Sequence, residues 1–73
     1  MKRADAATAV RELRAAVAAG TSDAAAARCD LAEAYLAAGD ALQARREVIA
    51  VLEGMPSHAR AQELLLRLIG GNP

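Results

Sequence analysis

Apolar residues return every three or four positions through four separate stretches of the chain, and no stretch alternates apolar with polar. That spacing is the one-face pattern of an amphipathic helix. Val10, Leu13 and Val17 define a first helix over about residues 4–19. Leu31 and Tyr35, extended by Ala24 and Ala38, define a second over 22–38. Ala41, Ala44, Val48, Val51 and Leu52 mark a third over 41–53. A leucine-dense run marks a fourth over 58–69, with 70–73 as a frayed tail. Phe and Trp are absent and β-branched residues are few, so no strand is expected.

Breaks of the right chemistry separate these stretches. Gly20, Gly39 and Gly54 stand where each of the first three helices should stop, because glycine tolerates the left-handed conformation past a helix end. Thr21 or Ser22 is the expected cap of the second helix, Asp40 of the third and Ser57 of the fourth. Asp40 followed by Gln43 has the form of a capping box. Pro56 cannot continue a helix, and Gly70-Gly71 should end the fourth. The connections are short, so sequence neighbours should pack as antiparallel pairs. The expected fold class is all-α, one domain of four helices over residues 1–73.

A shift of 35 residues lays the second half of the chain on the first. Ala9-Val10-Arg11-Glu12-Leu13-Arg14-Ala15 falls on Ala44-Arg45-Arg46-Glu47-Val48-Ile49-Ala50, and Ser22, Ala26 and Leu31 fall on Ser57, Ala61 and Leu66. The helix breaks coincide under the same shift. A period in this range is the mark of a solenoid.

Within that period, Leu31, Ala32, Tyr35, Gly39-Asp40, Ala44, Val48 and Pro56 form an ordered set. It resembles the tetratricopeptide repeat (TPR), a helix-turn-helix unit of about 34 residues. The likeness covers roughly residues 25–57, with the first helix resembling the end of a preceding repeat and the fourth the start of a following one. Two positions depart from it: Arg28 replaces a bulky aromatic, and Val48 replaces Phe or Tyr. The resemblance implies a short right-handed α-solenoid acting as a scaffold for protein–protein interaction. It also implies a peptide groove on the first helix of each repeat, which by position gives Ala26, Cys29, Glu33, Leu36, Arg60, Glu63 and Arg67. The basic clamp that some family members use for a terminal carboxylate is not matched, since Cys29, Asp30 and Glu33 stand in its place.

The 73 residues carry nine basic and nine acidic side chains, a balance that gives no electrostatic footprint for nucleic acid or membrane. Much of the 55% apolar content is alanine, which favours helix and buries little surface. A chain this small rarely draws more than about 3–5 kcal/mol from its core, so a partner or a second copy would help it. Met1-Lys2-Arg3 is followed by Asp5, Arg11, Glu12 and Arg14, which interrupt any leader-like apolar region. A cytoplasmic protein, or a soluble segment of a larger one, is the expectation, without membrane spans.

Catalysis needs polar groups converging on one pocket. One His, one Cys and one Tyr are poor material for that. His58 reads as an exposed residue at a helix start, Cys29 as a small packing residue and Tyr35 as a groove filler. No phosphate-cradling glycine loop exists. The chain is therefore not expected to be an enzyme, to hold a metal or to need a cofactor. Arg45 and Arg46 raise an alternative, a DNA-binding helix-turn-helix built from the second and third helices. Glu47 and Glu53 on the same helix weigh against it. A further alternative is a structural piece of a longer solenoid.

The anomaly is the fourth helix. Leu64, Leu65, Leu66, Leu68 and Ile69 span an arc of roughly 200°, about twice the stripe a helix at the edge of a monomer needs. Arg60, Glu63 and Arg67 hold the narrow polar face. Leu65, Leu66, Leu68 and Ile69 are the candidate partner or oligomer interface, for a protein, a peptide or a second copy of the chain. Leu42 and Ile49 form a smaller stripe on the back of the third helix, which reads as ordinary surface.

Overall fold

The glycine and proline punctuation turns into four helices. In the computed structural model, which describes residues 3–20 and 23–70, these are α1 (Arg3–Ala18), α2 (Ala24–Ala37), α3 (Ala41–Gly54) and α4 (Ala59–Gly70), with no strand among the described residues. The all-α expectation holds.

Each turn has an identifiable local cause. Gly39 adopts a φ of 85° and closes α2 in a Schellman motif. Its N–H donates to the Leu36 carbonyl at 3.1 Å, and the Asp40 N–H reaches back to the Tyr35 carbonyl at 2.8 Å. Gly20, at φ 79°, closes α1 similarly, its N–H donating to the Val17 carbonyl. Asp40 then caps α3, its carboxylate accepting the Gln43 N–H at 3.2 Å. The reciprocal half of a capping box does not form, because the Asp40 N–H is already used on Tyr35.

Three expectations about helix ends are corrected. Asp23 caps α2 by accepting the Ala26 N–H at 3.0 Å; Thr21 and Ser22 lie outside the described residues, as do Gly71 and the rest of the tail. Gly54 remains inside α3, and the stop falls at Met55, held at φ −136°. A residue before proline is pushed out of the helical region, so Pro56 acts one position earlier than the glycine reading assumed. Ser57 does not cap α4. The His58 ring does, its Nδ1 accepting the Ala61 N–H at 3.2 Å. An imidazole nitrogen carrying a lone pair can satisfy the same orphan donor as a carboxylate.

Under the 35-residue shift, Ala24 falls on Ala59, so α2 and α4 begin at equivalent positions. Asp23 falls on His58, and both cap the third N–H of their helix. The repeat read from residue types is therefore also a repeat of capping geometry.

The helices pack in chain order, α1 on α2, α2 on α3 and α3 on α4, with α2 also touching α4. The Cα extents are 32 × 32 × 15 Å, a thin slab with α2 at its centre. Having three neighbours, α2 buries side chains nearly all round: Cys29, Leu31, Ala32, Ala34 and Tyr35. Ala44, Val48 and Val51 of α3, Ala6 and Val10 of α1, and Ala61 and Leu64 of α4 complete the core. Ala6, Ala32, Ala44 and Ala61 have no exposed surface. Alanines at crossing points let backbones approach closely, and they limit how much apolar area each contact buries. Ala24 and Ala41, placed on apolar stripes by their spacing, are exposed at the starts of their helices.

Candidate interaction surface

The heavy apolar arc of α4 divides into three parts. Leu64 and Ala61 enter the core. Leu65 and Leu68 are half-buried and pack against it. Leu66 and Ile69 are left 65% and 64% exposed. The four-residue ridge expected from the sequence is thus narrower: Leu65 and Leu68 serve the fold, and Leu66 and Ile69 face outward.

The outward face continues across a helix boundary. Ala41, Leu42 and Arg45 of α3 line a shallow groove with Leu68 and Ile69 of α4, with a volume of about 190 Å3. Leu42 is itself 60% exposed. The sequence placed Leu42 on a separate minor stripe with Ile49; packing of α3 on α4 brings it beside Ile69 instead. The resulting surface is apolar at its centre, with Arg45 at its edge.

The repeat states what such positions normally meet. Leu66 is equivalent to Leu31, and Ile69 to Ala34, under the 35-residue shift. Leu31 and Ala34 are 2% and 4% exposed. They are covered because α2 has α1, α3 and α4 around it. The described neighbours of α4 are α2 and α3 alone. The two helices also turn different faces to the core: the half-buried Leu65 and Leu68 of α4 fall on the exposed Asp30 and Glu33 of α2 under the same shift.

The peptide-groove residues are only partly brought together. Arg60 Nη2 of α4 donates to Asp30 Oδ1 of α2 at 2.7 Å and lies 3.1 Å from Glu33 Oε1. The bond to Asp30, with Glu33 beside it, holds the guanidinium still more firmly charged than usual. Ala26 and Leu36 are half-buried, while Glu63 and Arg67 are exposed. Cys29 has no exposed surface and cannot line an open groove. The polar trio lies on the α2–α4 side of the slab, and the thiol is covered by packing. Burial pushes the Cys29 thiol above its ordinary ionisation range; Arg60 opposes the shift, and Asp30, Glu33 and Asp23 add to it.

A second ion pair joins α2 to α3: Arg28 Nη1 to Glu47 Oε1 at 2.9 Å, with the Glu47 side chain largely covered. It gives Arg28 a partner on the neighbouring helix. Local spacing carries no signal for this pair, whose members lie 19 positions apart, nor for Arg60 with Asp30, 30 apart. Among the described residues, no group of three or more His, Cys, Asp or Glu is placed to hold a metal ion, and no helix is long and apolar enough to cross a membrane. What the arrangement offers chemically is apolar area on α4 and α3.

Compared with protein-family models, curated proteins and solved structures, the chain matches none.

Proposed function

We propose that this protein is a small TPR-like interaction module that self-associates through α4. The observation carrying the reading is the exposure of Leu66 and Ile69, at positions whose repeat equivalents are buried. Fully covering side chains of this size contributes up to about 1.5–3 kcal/mol each. In a chain with an alanine-rich core, that gain is comparable to the whole stability expected. Leu42 and the half-buried Leu68 extend the surface and raise the area a partner covers. The repeated helix starts, the matched caps at Asp23 and His58, and the Schellman turn at Gly39 support the likeness to a TPR unit.

Sedimentation velocity over a concentration series tests the reading. The parent chain should associate increasingly toward millimolar concentration, and Leu66→Glu with Ile69→Glu should return it to a folded monomer. A parent that stays monomeric, or a double variant that associates as the parent does, would remove α4 as the interface.

A further inference from the structure

Resting on that reading of α4, we infer that a second copy binds about a two-fold axis that crosses α3 at Ile49, so that α3 and α4 of both copies form a four-helix bundle. The first argument is area. A stable joint covers about 800 Å2 on each copy, more than Leu66 and Ile69 of the twelve-residue α4 offer by themselves. The groove carries the surface onto α3, since it sets Leu42 beside Ile69. Ile49 stands seven positions after Leu42, on the same side of α3, and is 37% exposed. Met55, just past the end of the helix, is 53% exposed.

Charge selects the occupant. Arg45, Ile49 and Glu53 follow at four-residue intervals and form one exposed row along α3, basic, apolar and acidic in turn. Neither charge has an opposite charge three or four positions away on its own helix, and neither forms an ion pair among the described residues. Turned end for end about Ile49, the row is its own complement. A two-fold contact makes residue i meet j and j meet i. With the two α3 helices near antiparallel, as in helix bundles, residues equally far before and after Ile49 face each other. Arg45 of each copy then meets Glu53 of the other, giving two ion pairs, with Ile49 on Ile49 at the axis. Arg46, one position on, flanks the same carboxylate, and Leu42 comes opposite Met55. A parallel joint would instead set Arg45 on Arg45. An unrelated partner would need a basic and an acidic group at the same spacing, whereas a second copy carries them already.

Charge exchange tests the arrangement by sedimentation velocity, with helical content checked by circular dichroism. Glu53→Arg sets like charges at both ends of the joint, and so does Arg45→Glu with Arg46→Glu. Each variant alone should need about tenfold more protein than the parent for half-assembly. Their equimolar mixture should recover the parent's value as a 1:1 heterodimer, because both ends then pair opposite charges. A folded variant that associates as the parent does, or a mixture no tighter than its components, would overturn the two-fold joint on α3. Either result leaves the reading of α4 to its own test, Leu66→Glu with Ile69→Glu. A parent chain monomeric at about 1 mM would sink both.

Discussion

Ala44 of α3 has no exposed surface and lies within the core contact that also holds Leu31 and Tyr35 of α2. Ala44→Leu forces extra methylenes into that contact and should cost about 1–3 kcal/mol, read from the shift in urea midpoint. A midpoint unchanged from the parent would show that Ala44 is not a close-approach position. Cys29 is governed by the same packing. Its folded-state ionisation is raised by burial, so its contribution to stability is present below the range where an exposed thiol ionises. That contribution is lost as pH rises through this range toward the raised folded value. The urea midpoint should therefore fall as pH rises past the ordinary thiol value of about 8.5, and the fall should be shallower in Cys29→Ala. The thiol should also react with a disulfide reagent only as fast as the helices open.

At the scale of the element, each helix end is set by one or two side chains acting within a few residues. Gly39 carries two such duties: its positive φ closes α2, and it delivers Asp40 to the start of α3. Gly39→Ala places a Cβ in the left-handed region and should cost about 1 kcal/mol or more, visible as a lowered melting temperature with helical content retained. A melting temperature equal to the parent's would mean that the turn relaxes without strain. The caps obey the same local logic. Asp23, Asp40 and His58 each accept the N–H of the third helical residue, and they differ only in the acceptor atom used.

At the scale of the molecule, a slab 15 Å thick has little interior. Its largest fully buried side chains are Leu64, Val48 and Cys29, and alanines fill much of the rest. Association that covers Leu66 and Ile69 would bind the folded state and not the unfolded one, so folding and assembly are linked by mass action. The melting temperature should rise by several degrees for each tenfold increase in protein concentration, and Leu66→Glu with Ile69→Glu should abolish that dependence. A melting temperature independent of concentration in the parent would contradict the linkage.

The number of helices, their order and most of their ends were legible in the residues alone. Glycine at positive φ, proline and cap side chains act on neighbours one to five positions away, and such effects leave their mark in local sequence. The 35-residue repeat was legible for the same reason, because it repeats those local signals. The cap read at Ser57 failed on residue type, because histidine is rarely weighed as a cap; the one read at Thr21 or Ser22 failed on position, since Asp23 is as good a cap type as serine. Tertiary structure decided everything that depends on which helices lie side by side. Spacing alone could not tell Leu31 from Leu66, which fall on one another under the shift; α2 has three neighbouring helices and α4 two, and α4 turns Ala61 and Leu64 inward rather than Leu66. Nor could it bring Leu42 beside Ile69, or join Arg28 to Glu47 and Arg60 to Asp30. Helical period states which residues share a face; burial is set by the neighbours that face meets, and these are fixed only when the whole chain has packed.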